Sequence, residues 1–365
     1  MKKLLNSAAA VAILGAAYLT LWPVPVDPQS WEAKLSKGYV DDFAPNNALA
    51  GLELLPIGDT YGPEDVALLD NGDSYRVFIS GHKGEIIEVF PETQTHKTIA
   101  NTGGVPLGIE FANNTNLIVA DAYKGLISVN IETGEVTLLT DSVDGSPILY
   151  ADDVDIAPNG IMYFSDASTK FGAKRIGSTM AASLLEIMEH GKTGRVLAYD
   201  PTDQSTRVVA DNFSFSNGVA MAADGQSVLV NETGTYSVHR IYIDGPRKGE
   251  QEVIIDNLPG FPDNINPAPN GTFYVGLISQ RSDWLDKNAK NVFMRKLAMR
   301  LPASLRPQSQ DYTHIVQITA NGDVVQTFQD PKGVYPQATG AVMANDGYLY
   351  ISSLSAKSLA RKKLE

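Results

Sequence analysis

Short apolar segments, each followed by a turn, recur along most of the chain. Six segments share one pattern: an anchor residue, a β-branched or small apolar residue two positions later, and an Asx-containing turn seven to eight positions later. The anchors are Glu64, Leu107, Asp152, Asn217, Asp263 and Thr339. Most of the turns are Asn-Gly or Asp-Gly pairs, which strongly favour two-residue hairpins because both central positions adopt positive φ. The pattern therefore predicts paired β-strands throughout.

The spacing of the anchors indicates the architecture. The shorter spacings are about 43 to 46 residues, which matches the length of a four-stranded propeller blade. We therefore predict an all-β, six-bladed β-propeller over residues 30–365. Two spacings are longer and predict insertions at about residues 170–192 and 280–310. Both insertions should lie on the face that presents the anchors, where long connections commonly act as lids.

The second insertion differs in charge from the rest of the chain. It is rich in lysine and arginine, whereas the whole chain has a net charge of −13. Apolar residues such as Trp284, Phe293 and Leu297 are interleaved with the basic ones and predict a basic amphipathic helix. Such a helix can lie on an anionic membrane or pack against the propeller, and the sequence leaves both interpretations open.

The N-terminal segment predicts attachment to a membrane. Lys2 and Lys3 precede an uncharged run that continues to Val26 and is long enough to span a bilayer. Its end lacks the small residues of a cleavage site, so we predict that residues 1–29 form an uncleaved, single-pass anchor. The two lysines would stay in the cytoplasm and place the propeller on the outer side, periplasmic or lumenal. Cleavage of the segment would instead give a secreted protein.

Composition excludes several functions. The acidic charge argues against nucleic-acid binding, because a phosphate backbone requires a basic surface. The chain has no cysteine, which excludes a thiolate nucleophile and a cysteine-based zinc site. Its five histidines are scattered and none is an anchor, so they are expected in loops or at the surface. No motif of a serine hydrolase, zinc protease or phosphate-binding loop occurs. The oligomeric state is not determined by the sequence.

The anchors provide the candidate chemistry. First residues of the innermost strands surround the central tunnel, so anchors distant in sequence converge in space. Glu64, Asp152, Asn217 and Asp263 carry side-chain oxygens, and Asn264 follows directly. Calcium takes six to eight oxygen ligands from carboxylates, amides and water, so these five residues predict a Ca²⁺ site. The alternative is that they only cap strand starts and turns.

Several segments carry a family resemblance. They include Gly62-Pro63-Glu64, Tyr163-Phe164-Ser165-Asp166, Ser216-Asn217-Gly218-Val219-Ala220 and Leu258-Pro259-Gly260-Phe261-Pro262-Asp263-Asn264-Ile265. With these segments the chain resembles the calcium-dependent propeller hydrolase superfamily of gluconolactonases, paraoxonases and strictosidine synthase-like proteins. It is most similar to the strictosidine synthase-like branch that contains N-terminally anchored, arylesterase-type members. The resemblance implies that Glu64, Asn217, Asp263 and Asn264 bind a catalytic calcium ion.

The chain also departs from the family pattern. Relatives usually carry an amide at the position of Asp152, followed by an acid that matches Asp153. Paraoxonase-like enzymes have a histidine at the position of Leu107, which argues against their histidine mechanism here. Strictosidine synthases use a glutamate in the last blade, where this chain has Thr339-Gly340-Ala341.

The predicted function is a membrane-tethered, calcium-dependent hydrolase of small esters or lactones. Asp263 or Asp152 would act as nucleophile or as general base for water, while the metal polarises the carbonyl. One alternative is a non-catalytic tethered propeller in which calcium is structural or absent. Another is a strictosidine synthase-type lyase, which would need a base in the last blade.

Overall fold

The computed structural model describes residues 2–70, 72, 74–306 and 311–364. Within them it confirms the predicted fold, because six four-stranded antiparallel sheets are arranged as the blades of a propeller. The chain enters the propeller with strand β1 (Glu53–Pro56) and ends with strand β26 (Ser358–Lys363). In each of blades 1 to 5, successive strands run outwards from the central tunnel.

The strands of the six blades follow one another in chain order. Blade 1 contains β2 (Val66–Asp70), β3 (Tyr75–Ser80), β4 (Glu85–Phe90) and β5 (Thr95–Asn101), and blade 2 contains β6 (Pro106–Phe111), β7 (Asn116–Asp121), β8 (Gly125–Asn130) and β9 (Val136–Thr140). A small hairpin of β10 (Ser142–Val143) and β11 (Ser146–Pro147) precedes blade 3, which contains β12 (Ala151–Ile156), β13 (Met162–Asp166), β14 (Gly194–Asp200) and β15 (Ser205–Phe213). Blade 4 contains β16 (Ser216–Met221), β17 (Ser227–Glu232), β18 (Ser237–Tyr242) and β19 (Gln251–Ile255). Blade 5 contains β20 (Gly260–Pro267), β21 (Phe273–Gln280), β22 (Thr313–Ile318) and β23 (Val324–Asp330), and blade 6 contains β24 (Ala338–Met343), β25 (Tyr348–Ser353), β26 and β1.

Packing between blades explains the apolar segments of the sequence. The middle strands are buried on both faces, as in β13, where every residue is buried. Outer strands such as β5 are mostly exposed. Because adjacent blades pack face to face, a middle strand needs apolar side chains on both sides and therefore shows a continuous run rather than alternation. Each fully buried Leu, Ile or Phe contributes roughly 1.5–3 kcal/mol to folding.

The ring is closed by strands from the two ends of the chain. Strand β1 pairs with β26 in antiparallel register, with Glu53 opposite Arg361. The same two residues form an ion pair, in which Arg361 Nε lies 2.8 Å from Glu53 Oε2. Without β1 the last blade would expose an unpaired edge, which the ladder of main-chain hydrogen bonds removes.

Two helical insertions occupy the predicted positions. Helices α2 (Ala173–Ile176) and α3 (Thr179–Glu189) connect β13 to β14, and α4 (Asp283–Lys287) and α5 (Val292–Arg300) lie between β21 and β22. The single basic helix expected over 280–310 is therefore wrong within the described residues, and residues 307–310 lie outside them. Much of its positive charge points inwards, since Arg295 and Arg300 are buried.

Arg295 joins the insertions to the N-terminal segment. Its guanidinium donates hydrogen bonds to the main-chain carbonyls of Met188 in α3, Ala289 after α4 and Gln29. We call residues 22–50, which run from Trp22 across both insertions towards β1, the strap. Burial lowers the pKa of Arg295. Its carbonyl partners orient the guanidinium and connect three chain segments that are distant in sequence.

The N-terminal run forms helix α1 (Lys2–Leu21), which precedes the strap. Arg300 of α5 donates to the carbonyls of Leu19 and Trp22, and so satisfies main-chain acceptors that a helix C-terminus leaves open. Of the residues that the structure describes, none forms a helix with both the length and the hydropathy needed to cross a bilayer.

The histidines are less exposed than the sequence suggests. His190, His239 and His314 are buried, so the expectation of loop or surface positions is wrong for them. His190 stacks on Trp31 of the strap, with ring centroids 4.0 Å apart, and His239 pairs with Glu232 at 2.8 Å. His314 lies in strand β22 beneath aromatic side chains of the strap. Scattered positions in sequence gave no indication of these partners, which come from distant segments.

Candidate functional site

The anchors lie where the innermost strands depart from regular pairing. In blades 2 to 6 the register shifts across the anchor and the residue after it, as between Ala151 and Val154 in β12. In blade 1 the corresponding pair, Glu64 and Asp65, directly precedes β2. Such an irregularity interrupts the alternation of side chains along the strand, and here it turns the anchor side chains towards the tunnel.

Hydrogen bonds join four of the five predicted ligands into two pairs. Asn217 Nδ2 donates to Asp263 Oδ1 at 2.5 Å, which connects blades 4 and 5. Asn264 Nδ2 donates to Glu64 Oε1 at 3.0 Å, which connects blades 5 and 1. Asp152 of blade 3 is close enough for its charge to act on Glu64. We call these five residues the oxygen ring; all five are buried.

The oxygen ring contains acceptors without hydrogen-bond partners. Four of its buried oxygens lack a donor: Glu64 Oε2, Asp152 Oδ2, Asn217 Oδ1 and Asn264 Oδ1. Buried polar atoms in folded proteins nearly always have a partner, so four orphans at one place require an explanation. A bound cation would satisfy carboxylate and amide oxygens together, which strand capping would not.

The pKa shifts of the ring carboxylates also indicate that a cation would fit here. Burial, followed by the charge of Asp263, raises the pKa of Glu64 well above its ordinary value. Burial and the same neighbouring charge also raise the pKa of Asp152, and burial raises the pKa of Asp263 to about 7. Within the described part of the chain, no lysine, arginine or histidine forms an ion pair with these three carboxylates. The ring lacks positive charge.

The ring would hold a cation only as a mixed site. Among residues 2–70, 72, 74–306 and 311–364, no three His, Cys, Asp or Glu side chains come close enough to form a metal site by themselves. The amide oxygens of Asn217 and Asn264 would therefore have to be ligands. A set made only of oxygens, from acids and amides, suits a hard cation such as Ca²⁺ and does not suit zinc.

Glycines after alternate anchors allow the blades to meet at the axis. The residue after the anchor is Asp65, Asp153 or Asn264 in blades 1, 3 and 5, and Gly108, Gly218 or Gly340 in blades 2, 4 and 6. A Cβ on Gly108 would lie 2.2 Å from Asp153 Oδ1, and one on Gly218 would lie 2.5 Å from the Ile265 nitrogen. The sequence analysis missed this alternation, although the anchors' neighbours display it.

A second layer of carboxylates holds neighbouring blades together. Asp65 Oδ2 accepts from the Ile109 nitrogen at 2.9 Å, and Asp153 Oδ2 accepts from the Val219 nitrogen at 2.8 Å. Each bond joins the inner strand of one blade to that of the next. Asp153 is thus engaged in main-chain bonds and is not among the orphaned acceptors.

An apolar cluster covers the anchor face of the tunnel. It contains the anchor Leu107 together with Ala173 of α2, Ala182 and Leu185 of α3 and Val26 of the strap, and Met299 of α5 packs against it. We call α2, α3, α5 and residues 24–26 the roof. Two surface clefts of about 250 and 530 Å³ lie elsewhere, beside Glu232 and His239 of blade 4. The roof thus packs on the anchor Leu107, and all five residues of the oxygen ring are buried.

Known proteins share this architecture. A gluconolactonase from Xanthomonas campestris superposes with a TM-score of 0.62 over 95% of this chain and all of its own, at 14% identity. The calcium-binding protein regucalcin from Agrobacterium tumefaciens superposes with a TM-score of 0.59 over 86% of this chain and 94% of its own, at 13% identity. At these identities the likeness concerns the fold.

Sequence comparison gives the family. The strictosidine synthase family model matches residues 152–246, and the strictosidine synthase-like N-terminal model matches residues 41–89. The human adipocyte plasma membrane-associated protein is 30% identical over 378 residues, which cover 97% of this chain and 87% of the human protein. Both matched regions contain anchors of the oxygen ring. The chain therefore belongs to the strictosidine synthase-like family of six-bladed propellers, together with the adipocyte plasma membrane-associated proteins.

Proposed function

We propose that this protein is a calcium-dependent hydrolase of small esters or lactones, with its reaction centre at the oxygen ring. The observation that carries the proposal is the set of four buried, unpartnered oxygens on Glu64, Asp152, Asn217 and Asn264. The names of its structural neighbours, a gluconolactonase and a calcium-binding protein, support both parts of the proposal.

The ring residues divide into ligands and a reacting carboxylate. Glu64, Asn217 and Asn264 each have one buried oxygen without a hydrogen-bond partner, so these three residues would bind the metal. Asp263 and Asp152 would lie beside them. A bound Ca²⁺ would supply Lewis acidity at the substrate carbonyl. Asp263 or Asp152 would take the proton of the attacking water or attack the carbonyl itself. The hydrogen bond from Asn217 fixes the orientation of the Asp263 carboxylate for either role.

The roof is proposed to act as a lid. Its apolar side chains exclude water from the carboxylates, which strengthens every electrostatic interaction at the ring. Arg295 ties α3, the segment after α4 and the strap together, so the roof would open as one unit rather than helix by helix.

The two alternative functions would use the oxygen ring in different ways. A non-catalytic propeller would need the ring only for stability, and its substitution would leave any partner binding intact. A strictosidine synthase-type lyase would need a base in blade 6. The anchor there is Thr339, whose hydroxyl donates to the Glu64 carbonyl at 2.6 Å. Gly340 follows it, so this blade offers no basic side chain at the ring.

The function is tested by metal removal. Metal-free protein is assayed on phenyl acetate and δ-valerolactone, first with a chelator and then with excess Ca²⁺. We expect turnover of at least one substrate with Ca²⁺ and a fall of about 10²-fold or more in chelator, because Lewis-acid stabilisation contributes several kcal/mol. Magnesium serves as the control ion, since it prefers a small octahedral shell, gives up its waters reluctantly and is seldom held by protein ligands alone. Equal activity with and without chelator would contradict the proposal.

We also propose that residues 1–29 attach the propeller to a membrane. The human relative is named for its association with the plasma membrane. Helix α1 exposes apolar side chains along its length, with Val11, Leu14 and Leu21 each at least 70% exposed. Phe293 of α5 is 48% exposed and offers a second apolar contact. The orientation relative to the membrane stays a prediction.

Attachment is tested on the full chain with phosphatidylcholine vesicles. The double variant Val11→Lys/Leu14→Lys should reduce the vesicle-bound fraction about tenfold or more, since each lysine removes an apolar contact and adds a charge. Val334→Lys is the control, because Val334 is 73% exposed on the propeller itself. If the double variant sediments with vesicles as well as the parent does, α1 is not the attachment.

A further inference from the structure

The end of strand β17 contacts the oxygen ring from blade 4. Asn231, near the end of this strand, donates from Nδ2 to the main-chain carbonyl of Asp263 at 2.7 Å. Thr233 begins the short 3₁₀ turn Thr233–Thr235, and its hydroxyl donates to the carbonyl of Pro262 at 2.7 Å. Both side chains are buried. Two successive carbonyls of blade 5, at the point where its ring residues lie, are therefore bound by side chains of blade 4.

Main-chain contacts fix the position of Thr233. Its nitrogen donates to the Phe215 carbonyl at 3.1 Å, and the nitrogen of Gly234 donates to the Ser214 carbonyl at 2.9 Å. The residue after Thr233 has to be a glycine, because a Cβ at that position would overlap Ser214 Oγ. The Thr233 side chain therefore starts from a backbone that is tied to the segment leading into strand β16.

The direction of one hydrogen bond of Thr233 determines the direction of the next. A carbonyl oxygen can only accept, so the single proton of the Thr233 hydroxyl lies in the bond to Pro262. The hydroxyl can therefore only accept from Asn217, whose Nδ2 lies 3.2 Å from it. An amide oxygen in that place would face a second acceptor, without a proton between them. Thr233 thus selects the end of the Asn217 amide that faces it.

The other contact of the Asn217 amide does not fix its orientation alone. Nδ2 also donates to Asp263 Oδ1 at 2.5 Å, but a carboxyl group can accept or donate at such a position. With both N–H groups of the amide engaged, Oδ1 is left without a partner. In Asn264 the main chain achieves the same result, because its Nδ2 donates to the Glu64 carbonyl at 3.1 Å. Of the two ring amides, Asn217 is therefore the one whose orientation depends on a neighbouring side chain.

We propose that Thr233 is a positioning residue for the metal site, which orients the Asn217 amide so that its oxygen is presented to the cation. This inference rests on the calcium site of the proposed function and adds to it a residue that acts on a ligand without binding the metal. Without the hydroxyl, the amide is free to turn over and present its N–H groups, which do not coordinate a cation. A water molecule would then occupy the coordination position of the amide oxygen.

The inference is tested with Thr233→Val, which keeps the shape of the side chain and removes the hydroxyl. Calcium affinity, measured by titration calorimetry, should fall by about 10- to 100-fold, the usual effect of losing a residue that orients a metal ligand. Luminescence lifetimes of bound Tb³⁺, a hard cation of similar size to Ca²⁺, are compared in light and heavy water to count the waters on the ion. That count should rise by about one, because water replaces the amide oxygen. A purely structural role of Thr233 would leave the count unchanged.

Three further variants complete the experiment. Thr233→Ser keeps the hydroxyl and should bind Ca²⁺ within about threefold of the parent, with the parent's count of waters. Thr233→Ala leaves room for a water molecule, which can accept from Asn217 or donate to it and so selects neither orientation. Its affinity should fall and its count rise, and it replaces the valine variant if that does not fold. Thr313→Val is the matched control, because it removes a buried hydroxyl that donates to the Tyr335 carbonyl at 2.6 Å, and neither measurement should change.

The outcomes separate the role of Thr233 from the proposed function. A folded Thr233→Val or Thr233→Ala variant with the parent's affinity and count of waters would overturn the role of Thr233 and leave the calcium site standing. A fall in affinity with an unchanged count would overturn it as well, since the amide oxygen would still be on the ion. A parent that binds neither Ca²⁺ nor Tb³⁺ would instead refute the calcium site of the proposed function.

Discussion

Replacing Asp263 by asparagine is expected to lower kcat/KM for the best ester or lactone by about 10²- to 10³-fold while the protein stays folded. Asparagine has nearly the same size but lacks the negative charge and the basicity that either proposed role needs. In metal-free protein, removing one of three buried carboxylates that repel each other should leave the thermal midpoint unchanged or raise it. The measurement is steady-state kinetics together with a thermal melt.

The control for this variant is Asp203→Asn. Asp203 is exposed in a turn of blade 3, where it accepts from the Ser205 nitrogen at 3.0 Å, and an amide oxygen can replace that acceptor. Its kinetics should match those of the parent. A folded Asp263→Asn variant with full turnover would remove the oxygen ring from the chemistry.

Asp152→Asn separates a ligand from a base. If Asp152 is the base, the variant should bind Ca²⁺ with the parent's affinity and lose turnover. If Asp152 is a ligand, affinity and turnover should fall together, with added calcium restoring part of the activity. Calorimetry and kinetics on the same sample distinguish the two roles.

Acidification is expected to destabilise the protein through His314. Burial lowers the pKa of this imidazole to about 3, whereas a histidine in an unfolded chain titrates near 6.5. Between these values the unfolded chain binds a proton that the folded one does not. The stabilising contribution is therefore complete above pH 6.5 and is lost as the pH falls towards 3, at up to about 1.4 kcal/mol per pH unit.

The measurement is the free energy of unfolding against pH for the parent and for His314→Phe, which keeps a ring in the aromatic cage. The difference between the two should grow in favour of the variant as the pH falls from 6.5. Working with the difference cancels the effect of His190, whose pKa burial lowers to about 4, and of the ring carboxylates, whose raised pKa values act in the opposite direction. His96→Asn, at an exposed position of β5, is the control variant. A parallel pair of curves for His314→Phe would contradict the prediction.

The fold was readable from the sequence because its unit repeats. Five Asx-Gly turns at a fixed offset from the anchors predicted the hairpins, and the turn glycines adopt the expected positive φ. The two insertions lengthen the intervals between anchors but leave the offset from anchor to turn unchanged. The orientation of Arg295 and Arg300 was not readable, since an arginine that binds distant carbonyls has the same local sequence as one that faces solvent.

The oxygen ring was predictable only in outline. Fixed offsets brought out Glu64, Asp152, Asn217 and Asp263 because the first residue of each inner strand must face the tunnel. The anchors alone could not indicate which oxygens other side chains would satisfy. The glycines after alternate anchors follow the same offset, so the signal was present, but its meaning depends on how neighbouring blades approach one another.

Closure of the propeller determines when the oxygen ring forms during folding. Glu64 and Asn264 are 200 positions apart, and they meet only when the first and fifth blades are brought round by the sixth. The sixth blade is complete only when strand β26 pairs with β1. Asp152, Asn217 and Asp263 lie in consecutive blades, so Glu64 is the member of the oxygen ring that joins the others only when the propeller closes. Under the proposed function, a metal ion would find its full set of ligands only after the propeller has closed, and its binding would stabilise the closed form.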